Sequence, residues 1–214
     1  MKLENITLYC IGIPALVAAT LGIINKVNAD TNQAAMLLNS TSWASSTVDV
    51  TNGEDIYVPT FDAHLGTLDH ITVKFGRYVG TYTIRAENTS TSSGCSQNMW
   101  STTFATANLA GYGNLCWFSN GDSANPSLGV YDNVTDFAGT SGFTQENSYD
   151  YFNAGVRNIS DAGLLSDITD DGISTFTVHI SQSTTGDSTG TCSNSISNFA
   201  SDTKATFRIT YWYN

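Results

Sequence analysis

Three aspartates beside a glycine are the residues of this sequence whose spacing most resembles a metal site. Asp167, Asp170 and Asp171 precede Gly172 in the segment DITDDG, and carboxylate oxygens are the ligands that Ca²⁺ prefers. The twelve-residue EF-hand loop with its closing glutamate is absent, and aspartates before a strand are also common turn residues. We therefore expect no cofactor, with calcium at these three aspartates as the alternative.

No residue pattern in the sequence indicates catalysis. The GxSxG, HExxH, P-loop and Rossmann glycine patterns are all absent. His64 and His70 lie six positions apart with no cluster of other ligands, and His179 is expected on the solvent face of a strand. Glu87 and Glu146 would act as glycosidase carboxylates only if both lined one cleft. We predict that the protein is not an enzyme.

The cysteines indicate one disulfide in an oxidising compartment. Cys95 and Cys192 lie in similar polar segments, SSGCSQ and TGTCSN, whereas Cys116 lies in the apolar segment NLCWFS. A Cys95–Cys192 bond with a buried free Cys116 and a Cys95–Cys116 bond both remain open. No CxxC motif or paired histidine spacing indicates zinc.

The sequence has candidate sites for two kinds of glycan contact, covalent attachment and noncovalent binding. Four asparagines begin N-x-S/T sequons, the acceptor sequence for N-glycosylation: Asn39, Asn88, Asn133 and Asn158. Six aromatic residues could form a platform on which sugars stack, although most aromatics of a β protein belong to its core or sheet faces: Trp43, Trp100, Trp117, Trp212, Tyr211 and Tyr213. Extracellular glycans are therefore candidate partners.

Residues 1–29 have the features of a secretory signal peptide. Lys2 precedes an apolar run of about fourteen residues, Ile11–Ile24, and Ala29 ends the small-residue site Val-Asn-Ala. A retained anchor is the alternative, but a membrane helix needs roughly twenty apolar residues. We predict cleavage after Ala29, no membrane contact of the mature chain, and a secreted or cell-surface location.

The chain behind this leader is strongly acidic. From Asp30 onward it has six basic residues against eighteen acidic ones. Such a surface repels nucleic acid and anionic lipid and favours solubility outside the cell. Nucleic acid is therefore not an expected partner.

Short runs of alternating apolar and polar residues predict strands along most of the mature chain. The predictions also include a turn at Gly76–Gly80, a short helix or turn at Leu164-Leu165, and a polar loop at Ser183–Ser201. Together they predict an all-β fold, a single antiparallel β-sandwich of jelly-roll or immunoglobulin-like type over residues 46–214. The alternating runs are Ile71–Phe75, Tyr82–Ala86, Met99–Leu109, Leu115–Phe118, Phe176–Ile180 and Ala205–Tyr211.

Residues 30–45 stand apart as an extended N-terminal arm ahead of a first strand expected at Ser46–Thr51. The arm contains a compact apolar run, Ala34, Ala35, Met36, Leu37 and Leu38. This run must be buried somewhere because exposed apolar surface is unfavourable. It could be an edge strand of its own sandwich, or it could complete the sheet of a neighbouring copy by strand addition.

From about residue 55 onward the chain resembles the choice-of-anchor group of exported β-domains, most closely its type E. The matching segments are FDAHLGTLDHITVKF (61–75), GTYTIRAENTS (80–90), DFAGTSGF (136–143), STFTVHIS (174–181) and TFRITYWYN (206–214). The resemblance implies an exported β-sandwich at or near the cell surface, without an assigned chemistry. The group usually continues into a C-terminal sorting helix and a basic tail, which do not follow Asn214 in this sequence.

We expect from these observations an extracellular structural protein. The specific prediction is a subunit of a pilus-like surface fibre, a homopolymer in which the N-terminal strand of one copy complements the next. The alternative is a monomeric secreted matrix or carbohydrate-binding module.

Overall fold

The computed structural model describes residues 38–214. The predicted signal peptide and residues 34–37 of the predicted assembly strand lie outside this range. The strands are β1 (Asn39–Ala44), β2 (Val48–Asp49), β3 (Glu54–Pro59), β4 (Phe61–Asp62), β5 (Leu68–Asn88), β6 (Cys95–Leu109), β7 (Gly113–Ala124), β8 (Ser127–Leu128), β9 (Gly142–Ile159), β10 (Thr169–Asp170), β11 (Thr175–Gly190) and β12 (Ser195–Tyr213). A 3₁₀ turn spans Ala63–Leu65, and one α-helix, α1, spans Ala162–Asp167.

The long strands form two sheets. Sheet A has the order β1-β12-β5-β9, with β2 also paired to β12, and sheet B has the order β3-β11-β6-β7, with β8 also paired to β6. All of these pairs are antiparallel, and β4 and β10 add one short parallel pair. The predicted all-β antiparallel sandwich is therefore confirmed.

The predicted strand faces are the faces that pack between the sheets. Ile71, Val73 and Phe75 of β5 are at most 1% exposed, and so are Phe207 and Ile209 of β12. They belong to a large cluster of buried side chains, which we call the main core. Alternation placed these residues correctly because successive side chains of a strand point to opposite faces of the sheet.

A second and smaller apolar cluster, the distal cluster, lies at the other end of the long strands. Its five buried members are Ile84, Ala86, Met99, Ala124 and Leu128. The Cys95–Cys192 disulfide packs against it, and Cys116 is a buried free thiol in the main core. The structure thus has the first of the two disulfide alternatives, and burial raises the pKa of the Cys116 thiol to about 12.

The predicted turn at Gly76–Gly80 is wrong, because β5 continues through it. The pairing of β5 with β12 shifts register between Phe75 and Arg77, so Gly76 is an extra residue in the strand. At this point the backbone N–H of Arg77 donates to a side chain of β12, the Thr206 hydroxyl, at 2.9 Å. Gly76 therefore marks a β-bulge, which uses the same residue type as a turn.

The predicted loop at Ser183–Ser201 is also wrong, since β11 extends to Gly190 and β12 begins at Ser195. Its hydroxyl residues occupy ladder positions, and Thr184 bonds to Thr103 across the sheet at 3.1 Å. Polar residues are compatible with a strand that has one face in water. The helix or turn predicted at Leu164-Leu165 is confirmed as α1, whose N-cap Asp161 accepts from the Leu164 backbone N–H.

The C-terminal part of the predicted arm is a strand of its own sandwich. Strand β1 pairs antiparallel with β12, from Asn39 opposite Tyr213 to Ala44 opposite Arg208. Of its side chains only Trp43 packs against the main core. The described sandwich therefore begins at Asn39, seven residues before the predicted boundary at 46, and β1 forms an edge of sheet A.

Candidate functional site

The structure does not gather the three candidate calcium ligands. The Asp167 carboxylate accepts a hydrogen bond from the Tyr112 hydroxyl at 2.6 Å. Asp171 accepts the backbone N–H groups of Ile173 and Ser174, which hold the pKa of its carboxyl below the ordinary value. No group of three or more metal-ligating side chains occurs in residues 38–214. Of the three, Asp171 caps the backbone of a turn, which is a common role for aspartate.

The titratable residues considered for catalysis lie in separate places. Each histidine contacts an aspartate: His64 contacts Asp62, His70 contacts Asp69, and His179 contacts Asp55, at 2.7–2.9 Å. Glu87 is fully buried and accepts the Phe137 backbone N–H at 2.8 Å. Glu146 is exposed on β9, 3.9 Å from Arg85. The two glutamates therefore do not share a cleft.

The four sequon asparagines differ in accessibility. Asn39, Asn133 and Asn158 are exposed. Asn88 is 1% exposed, and its amide donates to the carbonyls of Ser93 and Gly129 at 2.8 and 2.6 Å. A glycan on Asn88 would replace one of the two amide hydrogens that form these bonds and would need space that this buried position lacks, whereas the other three sequon asparagines are accessible.

The aromatic residues do not form one platform. Trp43, Tyr211 and Tyr213 point into or pack against the main core. Trp212 lies on the outer side of sheet A, stacked on His70 with ring centroids 5.6 Å apart. Trp100 and Trp117 both lie on the outer face of sheet B, on the neighbouring strands β6 and β7.

A third aromatic residue, Phe104, lies between these two tryptophans and was not predicted. Trp100, Phe104 and Trp117 are 43%, 41% and 55% exposed. Trp100 and Phe104 are four positions apart on β6, or about 13 Å along the strand. Trp117 of β7 pairs with Thr106 and is thus a diagonal neighbour of Phe104, at about 7–8 Å. We call this row the aromatic face.

Hydroxyl side chains surround the aromatic face. Phe104 lies between Ser183 of β11 and Ser119 of β7, and Thr102 lies between Thr185 and Gly121. Apolar rings alternate here with hydrogen-bonding groups on a surface that no other part of residues 38–214 covers. Such a surface can stack the apolar faces of sugar rings and bond to their hydroxyls.

A cleft of about 400 Å³ opens beside Trp117, between the facing edges of β7 and β9. Both strands are irregular there. The register of β7 against β6 skips Leu115, and that of β9 against β5 skips Gly155 and Val156. Gly155 has φ +64°, and a Cβ on it would lie 2.5 Å from the Trp117 carbonyl oxygen. Its lack of a side chain lets the two strands approach, and Arg157 comes to line the cleft.

A second opening, which we call the β1 groove, lies beside the first strand. Its volume is about 240 Å³, and its apolar walls are Trp43, Phe61, Leu65 and Tyr211. Leu65 is 49% exposed. No described strand pairs with the outer edge of β1. Groove and edge together offer the two things that an added strand needs, backbone groups and a place for apolar side chains.

Comparison with known proteins provides no assignment. No protein-family model and no curated protein matches this sequence, so the resemblance to the choice-of-anchor group stays a prediction. A chain from the structure of the infectious bursal disease virus Gx strain is 7% identical with a TM-score of 0.26, covering 83% of this chain and 36% of its own length. A chain of mud crab tombus-like virus is 10% identical with a TM-score of 0.16, covering 90% and 98%.

The present chain thus spans about a third of the length of the bursal disease virus chain. Likenesses at these TM-scores carry no inference about function. Within residues 38–214, the helices are all too short or too polar to cross a bilayer.

Proposed function

We propose that the protein is an extracellular structural subunit that assembles into a fibre through its N-terminal segment. The observation that carries the proposal is the open β1 edge with the apolar β1 groove beside it. An unpaired edge templates pairing with another chain. The occupant is the segment Ala34–Leu38 of a second copy.

The position of β1 favours this occupant. Residues 39–44 are engaged in their own sheet, so the donated strand is the apolar run directly before them. Strand β1 begins at Asn39, opposite Tyr213, and the apolar run directly precedes it in the sequence. A head-to-tail contact of this kind does not close on itself and produces a filament.

Alternation along an added strand places Met36 and Leu38 on one side. Their side chains would enter the β1 groove against Trp43 and Leu65. Burying two such side chains contributes roughly 3–6 kcal/mol before ordering costs. The mature net charge opposes nonspecific association, so the apolar run and the groove supply the specificity.

Complementary defects test the proposal. Leu38→Asp disables the donor and Leu65→Asp disables the acceptor, so neither mature variant should form fibres alone. A mixture of the two should yield dimers and nothing larger, because one functional donor and one functional acceptor remain. Light scattering after size exclusion and electron microscopy measure both outcomes.

Val134→Asp, at a residue that is 54% exposed elsewhere, is the matched control and should assemble like the wild type. Fibres formed by Leu38→Asp alone, or by a chain with residues 34–38 replaced by a Gly/Ser segment of equal length, would exclude strand donation.

A second candidate function is glycan binding, which the aromatic face favours. Its three exposed rings and neighbouring hydroxyls suit a polysaccharide several rings long. Trp117→Ala should weaken binding about tenfold, the equivalent of about 1.4 kcal/mol. Trp212→Ala, on the opposite sheet, is the control for a lost tryptophan and should leave affinity unchanged in isothermal titration.

A further inference from the structure

We propose that the cleft between β7 and β9 binds a carboxylate, so that the preferred glycan is a polysaccharide containing uronic acid. This inference rests on the glycan-binding candidate and specifies its ligand. Trp117 belongs to both features, since it ends the aromatic face and lines the cleft. When a polysaccharide stacks along the aromatic face, the sugar that follows the one on Trp117 therefore lies at the cleft.

Arg157 is the group that would recognise the carboxylate. One of its terminal nitrogens, Nη1, donates to the Asn114 carbonyl at 2.7 Å, which fixes the side chain in the cleft. Arg77 and Arg85 have Asp150 and Glu146 as partners. Arg157 has no carboxylate within 4 Å among the described residues. Its remaining N–H groups are free to form a bidentate bond with a carboxylate.

The shape of the cleft suits a sugar acid better than a free anion. Trp117, Phe118 and Val156 supply apolar walls, against which a sugar ring can pack while its carboxylate faces the guanidinium. An inorganic anion has no apolar surface that could pack against these walls. The overall negative charge of the chain opposes an anionic polymer at long range, but at physiological salt this repulsion is screened beyond about 8 Å.

Polygalacturonate and its fully methyl-esterified form provide a matched pair of probes, because they share a backbone and differ in charge. The mature wild-type protein should bind polygalacturonate more tightly than the ester in isothermal titration at physiological salt. Arg157→Gln should weaken polygalacturonate binding about tenfold, a typical loss for one charge-assisted contact, and leave ester binding unchanged. Arg157→Lys should recover part of the loss.

The controls separate the two levels of the proposal. Arg208→Gln, an exposed arginine on β12, should bind both probes like the wild type. If the wild type binds both polymers equally, or if Arg157→Gln weakens both equally, the carboxylate site is wrong while glycan binding stands. If neither polymer binds, both the glycan candidate and this inference are overturned.

Discussion

The two ends of the sandwich are stabilised in different ways, although the same long strands run through both. The main core is filled by large side chains, among them Phe61, Phe75 and Phe207, each at most 1% exposed. The distal cluster has five buried residues, of which Ala86 and Ala124 are small. Backbone pairing continues across both ends, so the difference lies in side-chain volume.

Covalent and polar contacts take over where apolar volume is small. At the distal end the Cys95–Cys192 bond joins the start of β6 to the loop before β12. The buried Asn88 amide ties β5 to two loops through the Ser93 and Gly129 carbonyls. A sandwich can therefore extend beyond its apolar core if directional bonds replace packing.

A band of tyrosines lies at the edge of the main core that is next to the distal cluster. Tyr149 packs against both Tyr78 and Tyr82, with ring centroids 5.5 and 4.9 Å apart. The Tyr149 hydroxyl also bonds to Thr203 and Ser201. Burial raises the pKa of the Tyr82 hydroxyl to about 12.

The largest expected effect is a truncation in the main core. Phe207→Ala removes a fully buried ring and should lower the free energy of unfolding by about 3–5 kcal/mol. Urea denaturation of the mature chain measures it. Phe104→Ala removes the same ring from the outer face and should change stability by about 0.5 kcal/mol or less. Similar losses in both variants would mean that the main core is not the dominant source of stability.

Removal of the disulfide should have the next largest effect. Cys95→Ser combined with Cys192→Ser opens a loop with a sequence separation of 97 residues and should cost about 2–4 kcal/mol. Hydrogen exchange should show lost protection at Ile84, Met99 and Leu128, while the main core stays protected.

Reduction of the wild type is the internal control for the serine pair. Reductant should lower wild-type stability to that of the double variant and leave the double variant unchanged. Equal loss of protection at both ends would contradict the division of the sandwich into two differently stabilised regions.

The main core was more predictable from the sequence than the distal end. Large apolar residues at alternate positions, such as Ile71 to Phe75, produce a clear period of two. The segment Ser183–Ser201 has no such signal, because Ser and Thr occupy both faces of its strands. Its β11 part pairs with β6 and its β12 part pairs with β5. Both partners lie far back in the chain, and a local pattern cannot reveal them.

The candidate sites were predicted only in part for a related reason. Once Met99–Leu109 is assigned as a strand with Met99 inside, parity alone places Trp100 and Phe104 together outside, so Phe104 could have been found. Arg157 could not, because the bulge at Gly155 shifts the register of β9 and the cleft depends on the approach of β7.

The smallest expected effect concerns pH and lies at the main-core end. The Ile173 and Ser174 backbone N–H groups lower the pKa of Asp171 in the folded state. A lowered folded pKa contributes stability that is present above the unfolded pKa and is lost as the pH falls through the folded one. Acidification from about pH 6 to about pH 3 should therefore lower the melting temperature.

Asp171→Asn keeps an oxygen acceptor at every pH. Its melting temperature should therefore fall by roughly 1–2 °C less than that of the wild type, given how melting temperature scales with stability in domains of this size. Asp187, near the distal end of β11, accepts only the N–H of the adjacent Ser188. The melting temperature of Asp187→Asn should therefore fall on acidification as much as that of the wild type. If both variants showed the same reduced decrease in melting temperature, the acid sensitivity would come from the net charge of the chain and not from the turn beside β10.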